Sequence, residues 1–208
     1  MKTLSRLVIV ASFGAVFGGC GTRVMVPPEI NLVDHEVLGV IEIRSTVRGE
    51  LGSITTRKLI EAARRDQGMV RIVRLGTERQ ILSDLGVRQL DDAAFRRLGD
   101  SRQLKTILLG ELTISDVRPN VSIAPDLGSA SITAEVDATL SVEMIETATG
   151  ASLWSASASQ TQTVGHISVV AGRNFAFDAA DPERAYGPLV NSLVAVVVRD
   201  FQVSWVRQ

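Results

Sequence analysis

Residues 132–144 read Ile132-Thr133-Ala134-Glu135-Val136-Asp137-Ala138-Thr139-Leu140-Ser141-Val142-Glu143-Met144, apolar at every even position and polar at every odd one. Successive side chains of a strand point to opposite faces, so this alternation predicts one long strand with one face buried. Glu146-Thr147-Ala148-Thr149-Gly150 follows as a turn in which Gly150 can take a positive φ. A partner strand over Ser152–Val164 begins with Leu153 and Trp154. Together they predict a long antiparallel β-ribbon. Alternation alone does not distinguish a core from lipid as the neighbour of the apolar face of Ile132–Ala138, and a core is the commoner neighbour.

On the N-terminal side of the ribbon, Val37–Ile43 is an apolar strand of a sheet interior. Glu50–Asp66 carries Leu51, Ile54, Leu59, Ala62 and Ala63 along one helical side, with Arg64 and Arg65 in the last turn and Gly68 just beyond. Met69–Leu75 predicts a second strand. Thr77-Glu78-Arg79-Gln80 is a capping box that opens a short helix ending at Gly86, and Asp91 caps another that closes at Gly99. Lys105–Ser115 predicts a third strand, and Val117–Ala130, with Pro119, Pro125 and Gly128, a loop. After the ribbon, residues 165–180 read as irregular. Asp181-Pro182-Glu183 then starts a last helix with Leu189, Leu193, Val196, Val197 and Phe201 on one face and a break expected at Gly187-Pro188. The order strand-helix-strand-helix-helix-strand-ribbon-helix predicts an α/β fold: a mixed β-sheet flanked by helices, with a long C-terminal-half antiparallel β-hairpin and a final helix.

The first 19 residues have the form of an export signal. Lys2 and Arg6 precede an apolar run over Leu7–Phe17, and Gly18-Gly19 stands immediately before Cys20, the single cysteine. The run is shorter than the roughly 20 apolar residues of a permanent membrane helix. Small residues followed by a lone cysteine resemble the lipobox of bacterial lipoproteins, in which the thiol is acylated and the peptide is cut before it. Phe17 stands where that motif prefers Leu. Gly21 differs from the Asp that retains such proteins in the inner membrane, so the resemblance implies the periplasmic face of the outer membrane. The division expected is a signal peptide over 1–19, a lipidated N-terminus and extended tether over 20–36, and an α/β domain over 37–208. Loss of the signal removes two of the 22 basic residues and none of the 23 acidic ones, leaving a net charge of −3. That balance speaks against nucleic acid, whose recognition needs a basic face.

Further residues carry a resemblance that spans about Val37–Phe201. They are the apolar first strand, Val70-Arg71-Ile72-Val73-Arg74 with Gln80-Ile81-Leu82, Leu98-Gly99 with Leu104-Lys105-Thr106-Ile107-Leu108-Leu109-Gly110-Glu111, and Val142-Glu143-Met144-Ile145-Glu146-Thr147-Ala148-Thr149-Gly150. This pattern resembles the CsgG-like family of periplasmic lipoprotein domains, which includes the curli secretion channel and, more distantly, LpoB-type activators of penicillin-binding proteins. The resemblance implies a non-enzymatic, protein-binding role in envelope assembly or secretion, with envelope or secreted proteins as partners. A homo-oligomeric secretion pore is the alternative. Channel members place aromatic and Asn side chains after the first strand, whereas Arg44-Ser45-Thr46-Val47-Arg48-Gly49 has neither.

No nucleophile elbow, phosphate loop or dinucleotide fingerprint occurs in the sequence. His35 and His166 are the only histidines, and their positions suggest no metal site. The expectation is therefore no catalytic residue, no metal and no cofactor. Glu135, Asp137 and Glu143 share one face of the strand; Glu135 and Asp137, with Trp154 beside the turn, are the candidate partner interface. A solvated strand face and a core-closing Trp are the commoner fates of such residues. The lipidation site is Cys20. Cys20→Ala is expected to release the protein from the membrane fraction on envelope fractionation, and a variant still fractionating with the outer membrane contradicts the lipid anchor.

Overall fold

The computed structural model describes residues 22–116, 118–123, 130–166 and 182–207; the signal segment, Cys20 and most of the irregular stretch expected over 165–180 lie outside the described residues. In chain order the elements are β1 (Arg23–Val26), β2 (Val37–Ile41), β3 (Arg44–Ser45), α1 (Leu51–Ala63), β4 (Arg71–Gly76), α2 (Glu78–Leu85), α3 (Asp92–Arg102), β5 (Thr106–Ile114), β6 (Arg118–Ile123), β7 (Ala130–Glu146), β8 (Ser152–His166), α4 (Pro182–Val197) and β9 (Ser204–Arg207), with 3-10 turns at Leu32–His35 and Val198–Phe201. The α/β reading with a mixed sheet, a long hairpin and flanking helices matches this architecture.

One sheet of seven strands organises the molecule, in the order β4-β2-β5-β7-β6, with β3 beside β5 and β8 beside β7. The β2, β4 and β5 strands run parallel, and β7 pairs antiparallel with β5, β6 and β8. The predicted alternation is realised: Val136, Ala138, Leu140, Val142 and Met144 are all buried. They face a layer made by α1 and α4, whose Leu59, Leu189, Val190, Leu193 and Val197 are equally buried. Each large side chain among them contributes about 2 kcal/mol by leaving water. The other face of β2 and β5 is covered by α2 and α3 through Ile41, Ile81, Phe95, Leu98, Leu104, Ile107 and Ile145.

The turns form for the reasons the sequence suggests. Thr77 and Gln80 complete their capping box, and Asp91 accepts from the Ala94 backbone N–H. Gly150 has φ +78° in the β7–β8 turn, where a side chain would strain the backbone and strike Asp92.

Four local expectations are corrected. The loop expected over Val117–Ala130 contains β6, with Arg118↔Glu135 through Ile123↔Ala130 in register; Pro119 is tolerated because β6 lies on the flank of the sheet. The α4 helix runs unbroken through Pro188, since it is held by the sheet beneath. The expected last helix is present, and it is followed by a short strand, β9, that the sequence reading did not include. Finally, the segment expected as a tether folds onto the domain: β1 pairs antiparallel with β9, and Leu32 is buried.

A buried Gln67 explains that last point. Its carboxamide accepts from the Leu32 N–H at 2.6 Å and donates to the carbonyls of Ile30 and Phe201, both at 2.7 Å. The Ile30 N–H donates to the Asp200 carbonyl at 2.9 Å, and Asp66 accepts from the Val203 N–H at 3.1 Å. One side chain beyond the end of α1 thus holds segments from both ends of the domain. Nearby in sequence, His35 hydrogen-bonds through Nδ1 to the Thr106 hydroxyl at 2.9 Å. Burial pushes its pKa below the ordinary 6.5, and the neighbouring Asp34 opposes this more weakly.

Gln67→Leu strands two buried backbone groups and one part-buried one, so a loss of about 3 kcal/mol in urea unfolding is expected, with hydrogen exchange accelerated first at Leu32. For His35, the unfolded chain binds the proton more readily than the folded one. Its contribution is therefore present above pH 6.5 and lost as pH falls through the lower folded value. The urea midpoint should drop on that acid side, and His35→Gln should flatten the drop.

Candidate functional site

The side of β7 turned away from α4 is where the sheet meets solvent. Register pairs Glu135 with Thr163, Asp137 with Thr161, Thr139 with Ser159, Ser141 with Ser157 and Glu143 with Ser155. The result is a ladder of short hydroxyls and carboxylates running the length of the ribbon. Thr139 and Ser159 share a hydrogen bond of 2.8 Å, and Ser141 and Ser157 one of 3.0 Å. The Thr161 hydroxyl donates to Asp137 at 2.7 Å, and Arg118 forms an ion pair with the same carboxylate at 2.5 Å. Cross-strand hydroxyl pairs of this kind hold register and leave the face polar. Along its outer edge, β8 pairs with no other strand among the described residues.

Where the ladder reaches α3, it opens into a cleft of about 620 Å³ whose lining includes Arg44, Glu78, Leu90, Phe95, Glu111, Ser141, Glu143, Ser155 and Ser157. The guanidinium of Arg44 donates to both Glu111 oxygens, at 3.3 and 3.0 Å, and lies 3.6 Å from Glu78. Its pKa is raised above the ordinary value, first by the hydrogen bond to Glu111 and then by that residue's charge. The cation is thus committed to two carboxylates, leaving an apolar wall from Leu90 and Phe95 above a floor of serine hydroxyls. Such a surface can bind through hydrogen bonds and shape. Its lining carries no histidine or cysteine beside the serines to act as a base or nucleophile. Among the described residues, no three His, Cys, Asp or Glu side chains lie close enough to hold a metal ion.

The candidate interface residues do not converge. Glu135 and Asp137 stand on the ladder, on the polar face. Trp154 lies in register with Met144, on the opposite face and, by strand geometry, about 30 Å along the ribbon from Glu135. There its ring packs on Phe201 with centroids 4.6 Å apart, and its N–H donates to Asp200 at 2.9 Å. It closes the end of the core, tying β8 to the turn before β9. The alternation of Ser155, Ser157, Ser159, Thr161 and Thr163 with Ala and Gln is legible in the sequence, and the register adds which β7 residue each one faces. Cys20 lies outside the described residues.

No protein-family model and no curated protein matches the sequence. Among solved structures, the chain is similar to the PelC dodecamer from Paraburkholderia phytofirmans, at 16% identity and TM-score 0.43, covering 88% of this chain and 99% of that one. It is also similar to the LpoB C-terminal domain from Escherichia coli, at 16% identity and TM-score 0.39, covering 62% of this chain and 84% of that one. Lipoprotein GNA1162 from Neisseria meningitidis follows at 13% identity and TM-score 0.38, covering 61% and 83% respectively.

The contrast between Trp154 and Asp137 can be measured. Trp154→Ala is expected to cost about 3 kcal/mol in urea unfolding because it empties a packed site. Asp137→Asn, on an exposed ion pair, should stay within about 1 kcal/mol of the parent.

Proposed function

We propose that the protein is a lipid-anchored envelope lipoprotein of the outer membrane's periplasmic face, acting non-enzymatically by binding other proteins along the β7–β8 ribbon. The observation that carries this reading is the long polar ladder ending in the outer edge of β8. Unpaired on its outer side among the described residues, the 15-residue β8 presents backbone donors and acceptors to an incoming chain, and the row of hydroxyls beside it selects for polar contacts. The lipobox-like run ending at Cys20 supports the anchor, and the CsgG-like pattern supports an assembly or secretion setting.

The pore alternative draws on strand length alone. At 17 and 15 residues, β7 and β8 exceed the about 9–11 residues a crossing strand needs. Against it, the apolar side of β7 from Val136 to Met144 is occupied by the helical layer and is not free for lipid.

Photo-cross-linkers placed at Ser157 and Ser159 are expected to trap a discrete adduct in intact envelopes, while one at Ser53 on α1 traps none. Detergent-extracted protein should size as a monomer or small oligomer. Absence of an adduct from β8 contradicts the docking edge, and a ring with a central channel in electron micrographs favours the pore.

A further inference from the structure

The β1–β9 pair is the most exposed apolar feature among the described residues that lies beside a chain end. All eight of its residues are exposed, and Trp205, Met25 and Val206 remain 62%, 56% and 52% accessible. Register places Met25 opposite Trp205 and Arg23 opposite Arg207. Alternation puts these four on one face of the ribbon, with Val24, Val206 and Val26 on the other. A two-stranded ribbon that no other described element covers on either face is marginal in water, so its persistence calls for something to lie against it.

Its position says what that is. Cys20 precedes Arg23 by three residues, which limits their separation to about 11 Å along the chain. The ribbon's base is held to the domain by the Gln67 bonds and by Asp66 on Val203. It is therefore tied to the domain at its base and stands within a few residues of Cys20 along the chain. Tryptophan favours the boundary between headgroups and acyl chains, and arginine there reaches anionic headgroups.

We infer that the β1–β9 ribbon is a membrane-surface contact, in which Trp205 and Met25 enter the headgroup boundary of the bilayer that Cys20 is tethered to, while Arg23 and Arg207 meet anionic headgroups. This rests on the lipid-anchor reading and adds an orientation: acyl chains alone leave the domain free to tumble, whereas a second contact beside them sets which way the β8 edge faces.

Because Cys20 is the single cysteine, the test can be made independent of its modification in cells. The mature full-length chain is coupled through the Cys20 thiol to a maleimide lipid in vesicles of phosphatidylethanolamine and phosphatidylglycerol. Trp205 fluorescence is expected to shift to the blue, to be quenched by brominated acyl chains and to lose its quenching by aqueous iodide. Trp205→Phe should remove the lipid-dependent signal, leaving only Trp154. Trp205 emission that stays water-like and iodide-sensitive in the coupled protein overturns the inference. So does shielding of Trp205 that appears without vesicles as protein concentration rises, which identifies a second copy as the occupant. Mass spectrometry of Cys20 from the native envelope tests the anchor separately, so the two failures are distinguishable.

Discussion

The β7 strand is held on both edges along most of its length, and the rest of the molecule takes its place from that. Its 17 residues have β5 and then β6 on one side and β8 on the other. With a side-chain period of two, a slip of one residue would turn Val136, Ala138, Leu140, Val142 and Met144 to water and bury Asp137 and Glu143. The apolar stripe of α4 therefore has one seat. The same constraint leaves a polar row on the far side, so the candidate binding face is the necessary reverse of the core.

The second organising contact is smaller. Gln67 gathers Ile30, Leu32 and Phe201 around one carboxamide, and Trp154 stacks on Phe201 while bonding Asp200. A buried amide with its bonds satisfied is directional in a way that apolar packing is not. It fixes where the N-terminal segment leaves the domain and where β9 begins. The chain on either side of the small ribbon is thereby bonded to the domain at its base.

The residues that carry the family-like pattern turn out to be fitting points. A Cβ on Gly99 would lie 2.6 Å from Thr147, whose hydroxyl donates to the Leu104 carbonyl at 2.6 Å. A Cβ on Gly110 would lie within hard contact of the Ser141 carbonyl. The pattern thus records how α3, β5 and the β7–β8 turn approach one another, and it names a way of packing more than a chemistry. Legibility in the sequence follows the same division. The capping box at Thr77, the long strand of 132–144 and the apolar stripe of the last helix are readable because each is a local periodicity or a local bond. The four-residue strands β1 and β9 are not, because neither has a period long enough to stand out, and each exists only through the other.

The amino-acid sequence by itself determined the strand that faces two ways, the helices that cover it and the placing of a single cysteine after an apolar run, since these depend on spacing along the chain. Only the tertiary structure decided that the supposed tether folds back, that Trp154 closes the core while Glu135 and Asp137 stay on the polar face, and that Met25 pairs with Trp205. Those outcomes join residues far apart in sequence, among them Gln67 with Phe201 and Met25 with Trp205. No local pattern encodes them, because the free energy that selects them comes from burying and bonding groups that are neighbours only in the folded chain.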